Sequence, residues 1–122
     1  ELEEIVDQLR RSASANDRPA RSPDQLAAIL AQTRSQGYGL RIRGYVRPSG
    51  VGNRHAAALA VPVMANGRIA ACLNVVWNVR ALDETRFAER HFATMCAVAS
   101  EIGARLEQIV SMEEGETFAG KG

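Results

Sequence analysis

The stretch from Ala56 to Asn78, AAALAVPVMANGRIAACLNVVWN, decides how the rest of this sequence is read. It holds two apolar runs, Ala56–Met64 and Arg68–Asn78, joined through Ala65-Asn66-Gly67. Runs of this length rich in Val, Leu, Ile and Ala around an Asn-Gly pair predict a β-hairpin. Side chains alternate faces along a strand, so a slip of one residue would exchange the inside for the outside.

Two registers follow from the turn. If Asn66-Gly67 is a two-residue type I′ turn, Ala65 pairs with Arg68 and each face mixes large with small side chains. If Ala65-Asn66-Gly67 forms a type I turn with Gly67 in a G1 bulge, Met64 pairs with Arg68 and the faces sort by size. One face then receives Leu59, Val61 and Val63 opposite Leu73, Ala71 and Ile69, a core surface for helices. The other receives Ala58, Ala60 and Pro62 opposite Asn74, Cys72 and Ala70. The sorting selects this second register. Its small-residue face, carrying one amide, suits the floor of a shallow ligand site. Small residues equally let a helix or another subunit approach closely, and the sequence leaves both readings open. Asn74 weighs towards a ligand, because an amide in a buried strand must find hydrogen bonds.

Beyond the hairpin, Leu82-Asp83 opens the longest element. Asp83 is placed to cap a helix, with Leu82 stapled onto Phe87. Phe92, Met95, Ala99, Ile102, Leu106 and Ile109 then predict about seven turns with one apolar seam. Glu113–Gly122 is polar and aperiodic and reads as a frayed tail. Ahead of the hairpin, Pro48, Gly50 and Gly52 mark a loop over 47–55, and Tyr38–Val46 alternates as a strand with a wet side. Ser22, Pro23 and Gln25 announce a helix through a capping box and a proline at its first position. Leu26, Ile29, Leu30 and Thr33 mark its buried side, and Gly37 its end. Ser12–Arg21 reads as a surface connection, and Leu2, Ile5, Val6 and Leu9 as one side of a short helix.

A chain of 122 residues with 46% apolar and 24% charged residues is expected to be one globular domain. Fifteen basic residues against fourteen acidic ones leave no excess positive charge to hold a phosphate backbone. Cys72 and Cys96 stand far apart without metal-ligand spacing and read as buried small apolar residues in a reducing compartment. No catalytic arrangement emerges. His55 and His91 lie apart, no Gly-x-Ser-x-Gly or His-Glu-x-x-His is present, and Gly50-Val51-Gly52 lacks the third glycine of a dinucleotide loop. Glu84, Glu89, Glu101 and Glu107 read as the solvated side of the long helix. The reading is of a protein without catalytic residues, metal or cofactor.

The order of these words, Gln36-Gly37-Tyr38, the Arg-rich strand and Pro/Gly loop, Ala58-Leu59-Ala60-Val61-Pro62-Val63, Asn66-Gly67-Arg68, Ala71-Cys72-Leu73-Asn74-Val75-Val76-Trp77 and a long last helix, resembles the C-terminal effector domain of the IclR family of bacterial transcriptional regulators. The hairpin is similar in particular to regulators of aromatic-acid degradation. The resemblance spans residues 1–111, leaving 112–122 as a flexible tail. It implies an α+β, GAF-like antiparallel sheet with helices on one face and an effector cavity on the other. It further implies a fold truncated at its N-terminal side, since the family's helix-turn-helix and opening strands would precede residue 1. A cytoplasmic homo-oligomer, a dimer or tetramer, is implied, touching DNA only through that helix-turn-helix and not associated with a membrane. Residues of the two hairpin strands line the family's effector site, and carry over as Ala58, Asn74 and Val76. Cys72 lies on the same face. Arg43, with Arg41 and Arg47 as neighbours, is placed to pair with an effector carboxylate, although arginines on a solvated edge strand need no ligand.

Overall fold

A computed structural model of the chain describes residues 1–42 and 54–119. The protein is α+β. Its described residues form helices α1 (Leu2–Arg11), α2 (Pro23–Gln36) and α3 (Glu84–Ala119), a 3-10 helix at Ala15–Arg21, and strands β1 (Gly39–Leu40), β2 (Ala56–Ala65) and β3 (Arg68–Asn78). They divide into two compact units, Glu1–Arg54 and His55–Gly122.

The second unit is the predicted hairpin with α3 laid along β2. Asn66 and Gly67 both take positive φ, 51° and 73°. That makes the two-residue turn, pairing Ala65 with Arg68 and Met64 with Ile69. The single-αL turn expected from face sorting is therefore corrected. The faces still sort, for a different reason. Between Met64 and Val63 the register shifts, leaving Ala70 without a cross-strand partner, and from Val63↔Ala71 onward Val61 faces Leu73 and Leu59 faces Val75. This bulge restores the alternation that the turn would have scrambled, so every β2 residue keeps its predicted face while its partner lies two residues further along β3. Ile69 is the casualty. Opposite Met64, it leaves the expected core row and is 67% exposed.

Ala57, Leu59, Val61 and Val63 are buried under α3, with Leu59 fully inaccessible. The helix presents Phe87, Ala88, Met95 and Ala99 to them, then Gly103. A Cβ on Gly103 would stand 2.0 Å from the Met64 carbonyl oxygen, so helix and strand backbones touch there. The buried seam thus runs Met95–Ala99–Gly103. The expected continuation through Ile102 and Ile109 is instead exposed on the helix flank. Asp83 caps the helix as expected, its Oδ1 accepting the Arg86 N–H at 2.9 Å. Phe87 stacks on Trp77, with centroids 3.7 Å apart and planes 7° from parallel. The Trp77 indole N–H is donated to the Leu82 carbonyl at 2.7 Å. Glu107, read as solvated, accepts the Asn66 backbone N–H at 2.6 Å and ties the turn to the helix. α3 continues over Glu113–Ala119, residues read as a frayed tail.

In the first unit, α1 and α2 occupy their predicted positions. Residues 12–21, expected to be a loop, instead hold the 3-10 helix, which buries Ala20 and is fastened by Arg10 Nε donating to the Ala20 carbonyl at 3.2 Å. α2 starts at Pro23 and half-buries Leu26, Ile29, Leu30 and Thr33. Ser22 is its N-cap without a side-chain hydrogen bond, so the expected capping box does not form. Gly37 ends it in the left-handed conformation at φ 83°. Strand β1 covers only Gly39–Leu40 of the expected 38–46, and residues 43–46 lie outside the described part.

Candidate functional site

The face of the hairpin turned away from α3 gathers four of the five residues singled out above. Ala58 stands directly opposite Val76, Ala60 opposite Asn74, and Pro62 opposite Cys72. Facing residues of an antiparallel pair hold their Cβ atoms about 4.5–5.5 Å apart. Cys72, Asn74 and Val76 follow at every second position of β3, so their side chains form one row, with Ala58, Ala60 and Pro62 the adjacent row. The fifth residue, Arg43, lies outside the described residues, as does Arg47.

Asn74 is exposed, as is Cys72, and Val76 is 51% exposed, while Ala58 is half-buried. The expectation that both cysteines are buried is corrected: Cys72 alternates with the inward Leu73, and Cys96 follows the buried Met95 around the helix, so each points away from the core. The surface is a low apolar floor with one central amide whose hydrogen-bonding groups are open to solvent. Such a floor can hold the flat side of a small apolar group and orient one polar substituent through Asn74. Met64 and Ile69 extend it toward the turn. Ile69 was missed because its place depended on the turn, and the Asn-Gly preference for positive φ at both positions was the available signal.

The same register separates Cys72 from His55. His55 precedes β2, its carbonyl accepting the Val79 N–H at 2.7 Å, while Cys72 lies opposite Pro62. Six to seven strand residues at about 3.3 Å each put roughly 20 Å between them, well beyond the reach of a thiol–imidazole pair. His91 leans on the Phe87 ring at 4.7 Å, a packing contact. Among the described residues, no three of His, Cys, Asp and Glu group to hold a metal ion, and no helix is long and apolar enough to cross a membrane. No family model matches the chain.

Proposed function

We propose that this chain is the small-molecule-sensing region of an IclR-type transcriptional regulator. An organic acid, with aromatic acids the first class to test, would settle on the Ala58/Asn74 face. The observation that carries this reading is the row Cys72–Asn74–Val76 beside Ala58, left uncovered by α3 on a hairpin whose opposite face is buried along β2. The resemblance in element order supports it independently. On this reading the protein is a cytoplasmic homo-oligomer with a GAF-like fold, reaches DNA through a separate helix-turn-helix, and is not an enzyme. Arg43 supplies the carboxylate partner. Effector binding acts by favouring one of two arrangements of the subunits, which requires unequal affinity for them.

Calorimetric titration of the full-length regulator with phenylpropionate-like, benzoate-like and small keto acids tests the proposal. Saturable binding of one class, weakened by Asn74→Ala, is expected; silence across the panel removes the acid effector.

The second reading makes the same face an oligomerisation surface without a ligand. Val76 and Ile69, both more than half exposed there, favour it. A structure with another subunit's side chains seated over Asn74 would decide for it.

A further inference from the structure

The floor around Asn74 ends differently in its two directions. Away from the turn, Val76 and Ala58 form the very next pair. Towards the turn lies the small pair Cys72 and Pro62, and only then Met64 and Ile69, large side chains that are 46% and 67% exposed. Ala60, opposite Asn74, is separated from Met64 by about 13 Å of extended strand. Less one van der Waals contact of about 4 Å, a small-residue floor of about 9 Å runs from Asn74 to an apolar stop.

The turn decides the chemistry of that stop. A single-αL turn would have set Arg68 opposite Met64, putting a guanidinium at the end of the floor. The two-residue turn sets Ile69 there instead, and alternation directs Arg68, opposite Ala65, to the other face. Between Val76 and Ile69, no side chain of this face is charged.

We infer that Ile69 determines specificity: the face takes monocarboxylic acids whose far end is apolar and discriminates against dicarboxylic acids. This inference rests on the effector reading given above. With the polar end of the acid on Asn74, its apolar body lies over Pro62 and Cys72 and meets Met64 and Ile69 at its tip. Each carbon brought against them leaves water favourably. A second carboxylate carried to the same place loses part of its hydration against two apolar side chains and finds no donor on the face.

Calorimetric titration of the full chain with phenylpropionate and with its para-carboxy analogue tests this. The diacid is expected to have a dissociation constant about tenfold larger or more. Ile69→Arg, at an exposed position, places a donor at the stop and is expected to improve the diacid relative to phenylpropionate by about tenfold, as a charge-assisted hydrogen bond does. Met112→Arg adds the same charge at an exposed position on α3 and is expected to leave that ratio unchanged. Should Ile69→Arg fail to fold, Met64→Arg supplies the donor from the other side of the pair. Equal affinities of the parent for the two acids, or a ratio that Ile69→Arg and Met64→Arg leave unmoved, would overturn the role of Ile69 and leave the effector reading standing. Binding of neither acid, by parent and variants alike, would remove the effector reading and this inference with it.

Discussion

The two units of this protein hold themselves together differently. His55–Gly122 owns almost the whole buried core: Leu59, Val61 and Val63 lie beneath Phe87, Met95 and Ala99, and all are shut off from solvent. Glu1–Arg54 buries only Ala20 among its described residues, and its helices keep their apolar sides half-covered. In the second unit a few large side chains carry stability; in the first, caps, turns and local hydrogen bonds carry a larger share. Substitution should therefore be costly in one and mild in the other.

The largest effect is expected at Leu59. Leu59→Ala removes a fully buried side chain and should cost about 2–5 kcal/mol. Leu26→Ala on the half-covered side of α2 should cost about 1 kcal/mol or less. Denaturant unfolding of both variants, followed by far-UV dichroism, breaks the comparison if the two losses are equal. Gly103→Ala comes next. The added methyl meets the Met64 backbone, which no rotamer change relieves, and helix and strand must part at about 1–3 kcal/mol. Ala99→Gly one turn earlier opens space instead, costing about 1 kcal/mol through helix propensity. A Gly103→Ala protein that melts at or above the parent temperature, as helix propensity alone would give, would deny the close approach.

Removal of the α3 cap by Asp83→Ala should cost about 1 kcal/mol, while Ser22→Ala at the start of α2 should cost clearly less, since only the Asp83 side chain accepts a capping hydrogen bond. Equal shifts in thermal melting would refute that distinction. The smallest effect on stability is expected at Asn74. Exposed on the open face, Asn74→Ala should stay within about 0.5 kcal/mol of the parent in thermal unfolding. In effector titration it should lose about 0.5–3 kcal/mol of affinity. A destabilised variant with unchanged affinity would sink the binding face.

Much of the second unit was legible because its signals are local and strong. Asp83 fixed the start of α3, Asn66-Gly67 fixed the hairpin, and the alternation of large and small residues fixed the faces. What escaped was set by contacts between elements. The seam of α3 could be drawn through Ile102 or Gly103 with equal right until a strand carbonyl was placed against it. The bulge at Ala70 depends on how the turn and the packed face compromise, and neither alone requires it. In the first unit, Pro19 and the short polar residues around it spell a loop as readily as a 3-10 helix, and only the burial of Ala20 distinguishes them. Cys72, Asn74 and Val76 share one face through side-chain parity alone, which the change of turn leaves intact because it moves their partners by two residues.

Ala70 has a consequence for how this hairpin tolerates changes in chain length. It is the residue without a partner, so deleting it would keep Met64 against Ile69 and Val63 against Ala71 and leave both faces in frame. Deleting Leu73 or Val75 would turn one arm of β3 over, bringing Asn74 or Cys72 under the helix. Insertions and deletions in this strand should therefore be tolerated at Ala70 and rejected a few residues away, a frame rule that no single substitution would reveal.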